Sequence, residues 1–321
     1  MRAPILTVDV EDWFHVCGHP AYADPATWAA REKRVHAGTG RILELLEGTA
    51  SRATFFVLGW VARQTPALVK RIAGAGHEIA CHGDAHRRVF EMTPGEFRED
   101  VRLSRDTLQD IVGRSVTAFR APEWSLLKAD NPALAVLVEE GFTLDSSLTT
   151  APPVGDPSNP VRPTILQTAS GPILEVPPLM GTFFGRRAMW GGGVCSRLTR
   201  RGRIEAAIER DLEAGVSPVL YAHPWEFDRE HPDMPGLSVV GRLVHFAGRD
   251  RTEERWARWL KRWTFAPISS AYEDASRTAD VKGLRPLRGA QSAPLTSVVR
   301  DGDFQLSAAA PAAAAHQKDP S

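Results

Sequence analysis

Cysteine is scarce in this chain of 321 residues, and neither sign of charge is in excess. Its three cysteines, Cys17, Cys81 and Cys195, form no Cys-x-x-Cys pair and cannot all be in disulfides, so we expect reduced thiols. The 39 Lys and Arg residues balance 39 Asp and Glu residues, with no long run of either sign. This balance gives no indication of a nucleic-acid partner or of an anionic membrane surface.

Long apolar runs are missing as well. No stretch reaches the roughly 18 apolar residues that a transmembrane helix needs, so we expect no stable membrane insertion. The N-terminal sequence MRAPILTVDVEDWF has one early Arg and an apolar run too short for a signal-peptide core, and it lacks a cleavage site. We therefore expect a cytoplasmic protein.

Apolar residues make up 43% of the chain, enough for a substantial core, and α/β barrels of about 250 residues often form one domain. Short β-rich segments alternate with helical patterns, which is typical of a parallel sheet or barrel. The predicted strands are Pro4–Val8, Arg52–Leu58, His77–Cys81, Val116–Phe119, Phe142–Leu144, Ile173–Val176 and Pro218–Ala222. The predicted helices are Gly40–Leu46, Trp60–Ala73, Pro94–Ile111, Asn131–Glu140 and Gly202–Ala214. Seven strands rather than eight predict an α/β fold with an incomplete barrel.

Two further segments follow the last predicted strand. Residues 251–265 carry Trp256, Trp259 and Trp263 at helical spacing, which predicts a terminal helix that packs on the barrel; a sugar-stacking platform is the alternative. From about Asp274 the periodicity is lost, and residues 307–321 are rich in Ala and Pro, which predicts a disordered tail. We place the barrel and its helix in residues 1–270 and the tail in residues 271–321.

Polar side chains gather where the predicted strands end. They are Asp9, Glu11, Asp12, His82, His86, Arg120, Asp145 and His223. Barrel enzymes present their catalytic groups from the C-terminal ends of several strands. Carboxylates, two histidines at i and i+4 and a distant third histidine are also what a hydrolytic divalent-metal site needs, and two histidines with one carboxylate favour zinc.

The histidine pair His82 and His86 is a weak motif by itself, because His15 and His19 have the same spacing and surface histidines can share it. The position of this pair directly after the apolar strand of HEIAC favours a metal site over two surface histidines. His223 likewise follows an apolar strand, although a core histidine bonded to a backbone carbonyl is the alternative for it.

The alternation of side chains along a strand indicates which of the three N-terminal carboxylates can share one site. If the chain is still extended there, Asp9 and Glu11 project to one side and Asp12 to the other, which favours Asp9 and Glu11 as partners in one site. A polar loop with incidental acids is the alternative. Arg120, which follows buried-looking residues, would hold Asp9 by charge-assisted hydrogen bonds.

In chain order, TVDVEDWF, RATFFVLGW, HEIACHGDAH, FRAPEWS, LDSSL and YAHPWEFD make the chain similar to the polysaccharide deacetylase family, carbohydrate esterase family 4, over about residues 3–265. It most resembles the branch found with bacterial exopolysaccharide biosynthesis and exosortase loci. The resemblance implies a distorted (β/α)7 barrel and metal-dependent hydrolysis of N-acetyl groups on amino sugars. The expected partner is thus an N-acetylated glycan or its precursor.

The family's roles transfer residue by residue. The resemblance implies a catalytic base at Asp9, metal-binding histidines at His82 and His86, a base-orienting arginine at Arg120, a catalytic acid at His223 and, at Asp145, an acidic residue that tunes that histidine. The family's adjacent Asp-Asp pair is replaced by Asp9-Val10-Glu11-Asp12, so the carboxylate ligand is Glu11 or Asp12. A backbone N–H between Arg120 and Glu123 is the expected oxyanion donor.

Two other functions remain open at this point. A related amidohydrolase could act on a small ureide, and a catalytically inactive barrel could bind carbohydrate. The joint presence of base, metal ligands and acid argues against both.

Overall fold

A curled sheet with seven parallel strands forms the centre of the fold. The computed structural model describes residues 2–19 and 21–270. The strands are β1 Ile5–Val10, β2 Thr54–Val57, β3 Glu78–Cys81, β4 Ala118–Phe119, β5 Leu144–Asp145, β6 Thr164–Thr168, β7 Gly171–Glu175, β8 Met180–Phe183, β9 Arg186–Met189 and β10 Val219–Ala222. The main sheet has the order β10-β1-β2-β3-β4-β5-β7-β6, in which only the β6–β7 hairpin is antiparallel.

The two ends of this sheet approach each other. Pro178, which follows β7, forms a single parallel bridge with Val219 of β10. Beside it, the Leu179 amide donates to the Val219 carbonyl over 2.9 Å. This narrow closure confirms the predicted distorted (β/α)7 barrel.

Helices cover the outside of the barrel. The helices of the described chain are α1 Val35–Leu46, α2 Gly59–Gln64, α3 Pro66–Gly74, α4 Pro94–Val112, α5 Ala133–Glu139, α6 Gly193–Leu198, α7 Arg201–Glu213, α8 Val239–Phe246 and α9 Thr252–Arg262. Of these, α8 lies beside the C-terminal ends of the strands, where its His245 stacks on Trp225. Alternate strand residues, such as Leu6, Phe55 and Ile79, pack outward against the covering helices. In α4 the sequence determines where the helix begins and ends. Thr93 and Glu96 form a capping box at its N-terminus, and Gly113 ends the helix in the left-handed conformation.

The barrel interior begins with a separate apolar layer. Each of the seven parallel strands contributes one residue to it, namely Ile5, Phe56, Ala80, Ala118, Leu144, Leu174 and Val219. Because strand side chains alternate, residues two or four positions further along the chain also point inward, one layer nearer the C-terminal ends. The inward positions above this layer are therefore the ones that can build a site.

Several predictions of elements need correction. The predicted helix Trp60–Ala73 is two helices, since Pro66 lacks an N–H and begins α3. The antiparallel β8–β9 hairpin was not predicted; its turn residues Phe184 and Gly185 both have positive φ, as a type I′ turn requires.

Two C-terminal expectations have different outcomes. Trp256 and Trp259 of α9 are buried in the core, and Trp263 packs against it, so the packing interpretation of the tryptophan stripe is confirmed. The predicted tail, residues 271–321, lies outside the described residues. None of the helices in the described part of the chain combines the length and apolar character needed to cross a membrane.

Candidate active site

Most of the predicted site residues lie at or just beyond the C-terminal ends of the parallel strands β10, β1, β3 and β4. On β1, the inward series runs from Ile5 through Thr7 to Asp9, and β10 continues inward to His223. His82 follows β3 and Arg120 follows β4, each two positions beyond an inward alanine. Alternation thus brings these side chains to one end of the barrel.

Asp9 and Arg120 form a buried ion pair at the bottom of the site. The Arg120 guanidinium is fully buried, and its Nη1 donates to Asp9 Oδ1 over 2.7 Å and to Thr7 Oγ1 over 2.8 Å. Its remaining donors bind the Ser146 hydroxyl and carbonyl, and the Phe56 ring lies 4.2 Å below. The guanidinium is therefore fixed from several directions, and it holds Asp9 with Oδ2 free to face the site.

Glu11, His82 and His86 form the one cluster of possible metal ligands found among the described residues. Their donor atoms all lie within 4.8 Å of one another. Glu11 Oε2 is 2.7 Å from His86 Nε2 and 3.9 Å from His82 Nε2. Ligand atoms around a tetrahedral zinc ion are about 3.3 Å apart, so this donor set fits such an ion.

The electrostatics of the cluster favour a cation. Burial by itself would raise the pKa of Glu11, but the imidazoles of His86, His223 and His82 hold it far below its usual value. Burial lowers the pKa of His82 to about 4, which leaves that imidazole neutral, as a metal ligand must be. Its Nδ1 lies 2.9 Å from the Arg120 carbonyl, so Nε2 is the atom that faces Glu11.

The alternative carboxylate, Asp12, points away from the cluster. Its Oδ1 accepts from the Trp13 amide, and its Oδ2 accepts from the amides of Arg34 and Val35 at the start of α1. Asp12 thus satisfies N-terminal amides of a helix, and Glu11 is the carboxylate beside the histidines. Strand alternation also favours Glu11, although β1 ends at Val10 and the Glu11 amide bonds back to the Asp9 carbonyl.

His223 faces both carboxylates of the site. Its Nε2 lies 4.0 Å from Asp9 Oδ2 and 3.8 Å from Glu11 Oε1, and the ring stacks on Trp225 at 4.9 Å. The Trp225 indole donates to Glu11 Oε1 over 3.0 Å. His223, Trp225 and Glu11 are therefore held as one packed unit.

The acidic partner of His223 is Glu226, which the sequence analysis missed. Glu226 Oε1 lies 3.5 Å from His223 Nδ1 and accepts from Arg197 Nη1 over 2.8 Å, with both partners of that ion pair buried. Burial alone would lower the pKa of His223, but Glu226, with Glu11 and Asp9, raises it above its ordinary value. The three-residue spacing in HPWE was the available signal, because a helical turn brings such positions together.

The predicted role of Asp145 needs correction. Alternation sends Leu144 and Ser146 inward, so Asp145 points to the other face of the sheet. There it pairs in register with Glu175 of β7 and accepts from the Ser147 hydroxyl. Burial raises the pKa of Asp145, and the carboxyl group supports the sheet rather than His223.

The backbone after Arg120 has one amide without an acceptor among the described residues. The Arg120 and Ala121 amides are engaged with Cys81 and Ser147, and Pro122 has no N–H. No acceptor for the Glu123 N–H is found in the described part of the chain. Glu123 also has a φ of 50°, a strained conformation that is often kept for function.

Comparisons with known proteins show which chains this one is similar to. Residues 30–143 match the family model described as Polysaccharide deacetylase, and residues 146–273 match a domain of unknown function, DUF3473. The chain is 34% identical over 114 residues to YheN of Bacillus subtilis, which is named as a polysaccharide deacetylase, and this match covers 34% of the chain and 40% of YheN. It is 33% identical over 112 residues to the peptidoglycan deacetylase of Helicobacter pylori, covering 35% of the chain and 37% of that protein.

These curated relatives are matched over less than half of their own length. A solved structure is similar over nearly the whole chain: a protein of Mycobacterium smegmatis assigned as a polysaccharide deacetylase. The TM-score is 0.57 at 22% identity, and the match covers 92% of this chain and 96% of that one. This similarity supports the barrel fold.

Proposed function

The chain belongs to the polysaccharide deacetylase family, and on that basis we propose that it hydrolyses N-acetyl groups on the amino sugars of a glycan. One observation carries the proposal. A metal-ligand cluster, a buried base–arginine pair and a histidine with its own carboxylate converge at the end of the barrel where such folds place their chemistry.

Glu11, His82 and His86 would hold the divalent ion, and zinc is the ion that this donor set favours. When bound, such an ion supplies charge that polarises a carbonyl and lowers the pKa of a water molecule. Apart from this ion and the attacking water, the proposed mechanism uses only groups of the chain and its substrate.

Asp9 would act as general base. Its free Oδ2 accepts the proton of the attacking water, while the bond from Arg120 to Oδ1 holds the carboxylate in position. The Glu123 N–H would donate to the oxygen of the tetrahedral intermediate as negative charge develops there.

His223 would act as general acid. The Glu226 carboxylate on its Nδ1 side favours the imidazolium, and Nε2 on the opposite side of the ring faces the carboxylates of the site. Nε2 therefore delivers a proton to the amine as the amide bond breaks. The products are acetate and a free amino sugar.

The substrate we propose is a polymeric glycan or its lipid-linked precursor in exopolysaccharide biosynthesis, handled in the cytoplasm. The family resemblance of the chain motifs supports this narrower assignment.

The test is acetate release from N-acetylglucosamine oligomers by the zinc-loaded protein. Asp9→Asn should lower kcat by roughly 100-fold or more and retain zinc, because the base acts on the rate and is outside the ligand set. Asp110→Asn, an exposed aspartate on α4, is the matched control and should leave kcat unchanged.

Two outcomes would contradict the proposal. Turnover of a ureide such as allantoin without acetate release would indicate the related amidohydrolase. Stoichiometric zinc and oligosaccharide binding without any turnover would indicate an inactive carbohydrate-binding barrel.

A further inference from the structure

The metal-facing histidine His86 has an unusual partner. Its Nδ1 lies 3.2 Å from the sulfur of Cys17, 69 positions earlier in the chain. The same sulfur lies 2.9 Å from the backbone carbonyl of His86. One thiol therefore contacts both the ring and the main chain of a single residue.

The directions of these two bonds follow from the ring. His86 Nε2 faces Glu11, so a ligand role for Nε2 places the ring proton on Nδ1. Nδ1–H then donates to Cys17 Sγ, and the S–H of Cys17 donates to the His86 carbonyl. The thiol thus accepts from the ring and donates to the backbone.

The thiol is positioned independently of His86. The Cys17 amide donates to Glu123 Oε1 over 3.1 Å, and the Cys17 carbonyl accepts from Arg88 Nη2 over 3.3 Å. Arg88 also donates to the other oxygen of Glu123. This network sets the place of Cys17 from outside the ligand cluster.

His86 needs such support more than His82 does. The His86 backbone has a φ of 50°, in the left-handed region that a non-glycine residue rarely adopts. His82 has its Nδ1 beside a backbone carbonyl, which is a common partner for a ligand histidine, whereas His86 depends on a side chain. Loss of the thiol would free both the ring and the strained main chain.

We propose that Cys17 is a positioning residue of the metal site, which sets the tautomer and the orientation of His86. The inference rests on the proposed function, since it takes Glu11, His82 and His86 as metal ligands. Cys17 itself contributes no ligand atom to that cluster.

The test measures zinc affinity of the full chain by competition with a chelator at pH 7.5. Cys17→Ala should weaken zinc binding by roughly 10- to 100-fold, the usual effect of removing the partner of a ligand histidine. Cys17→Ser should recover a large part of that loss, because a hydroxyl can make both bonds with a slightly shorter reach. Cys195→Ala is the matched control, and its zinc affinity should equal that of the wild type, because Cys195 lies outside the cluster.

A second readout separates positioning from general stability. With cobalt in place of zinc, Cys17→Ala should alter the visible ligand-field bands, and the metal-free melting temperature should stay close to that of the wild type. If Cys17→Ala binds zinc within about twofold of the wild type, the inference is wrong. It is equally wrong if the serine variant folds but recovers no affinity. A wild-type protein that binds no zinc would instead overturn the proposed metal site itself.

Discussion

Gly38 of α1 is the position at which one added methyl group should do most harm to the site. A Cβ at Gly38 would lie 1.9 Å from the Pro224 carbonyl oxygen and 2.4 Å from its carbon. Pro224 stands between His223 and Trp225, the two stacked rings of the site. Both atoms that would clash belong to backbone, so no side-chain rotation can relieve the contact.

The size of the effect follows from these distances. Ordinary contact begins near 3.4 Å, so Gly38→Ala must move α1 and the His223 segment apart by 1.5 Å. A displacement of about 1 Å of a catalytic group can cost about 100-fold in rate, and we expect kcat to fall by that order. Overpacking should lower the free energy of unfolding by about 1–3 kcal/mol, and the better helix propensity of Ala should offset about 1 kcal/mol of this loss.

The same helix provides a matched control. A Cβ at Gly40 would meet only the Arg71 guanidinium, at 3.7 Å. Gly40→Ala should therefore keep kcat and stabilise the fold by up to about 1 kcal/mol. Acetate release and urea unfolding of both variants are the measurements. A Gly38→Ala enzyme with wild-type kcat would refute the argument, and so would an equal loss in Gly40→Ala.

Three further predictions follow from other contacts. Glu11→Ala should abolish tight zinc binding, whereas Asp12→Ala should keep it and lower stability by about 0.5–2 kcal/mol, as loss of a cap does; equal zinc loss from both would contradict the ligand assignment. Glu226→Gln should lower kcat for acetamides about tenfold or more but spare activated acetate esters, whose leaving group needs no proton; equal losses on both would refute its role beside the acid. Burial lowers the pKa of His77 to about 4, so between pH 6.5 and 4 only the unfolded chain takes up this proton. Stability should thus be complete above pH 6.5 and fall on acidification by up to roughly 3 kcal/mol. The His77→Asn variant keeps an amide oxygen that can accept from the Ala53 N–H. In urea unfolding, its free energy of unfolding should fall less between pH 6.5 and 4 than that of the wild type. An equal fall in both proteins would contradict this prediction.

Much of the barrel could be predicted from the sequence, because its signals are local. All seven predicted parallel strands are present, with bounds that differ by no more than two residues at any end. The period of two also places Asp9 correctly above Ile5 and Thr7, since β1 stays extended to Val10. A local rule succeeds where the chain has one regular conformation from the core to the site.

The same rule was available for Asp145 and would have corrected its predicted role. Leu144 belongs to the interior layer, so its neighbour had to face outward. The partner Glu175, however, follows from the register between β5 and β7, which no local pattern contains. The contact of Cys17 with His86 is equally long-range, because it depends on where two loops meet.

The site also shows why residues 146–273 cannot be read as a separate module. This segment supplies β7 and β10, and β10 pairs with β1 in register from Ile5 to Val8. That pairing sets His223 beside Asp9, although the two residues are 214 positions apart in sequence order. His82, His86 and Arg120 lie within residues 30–143, whereas the proposed acid and its carboxylate both lie in the segment of unknown function. A chain cut between the two segments would therefore retain both proposed ligand histidines and lose the group that we expect to protonate the amine.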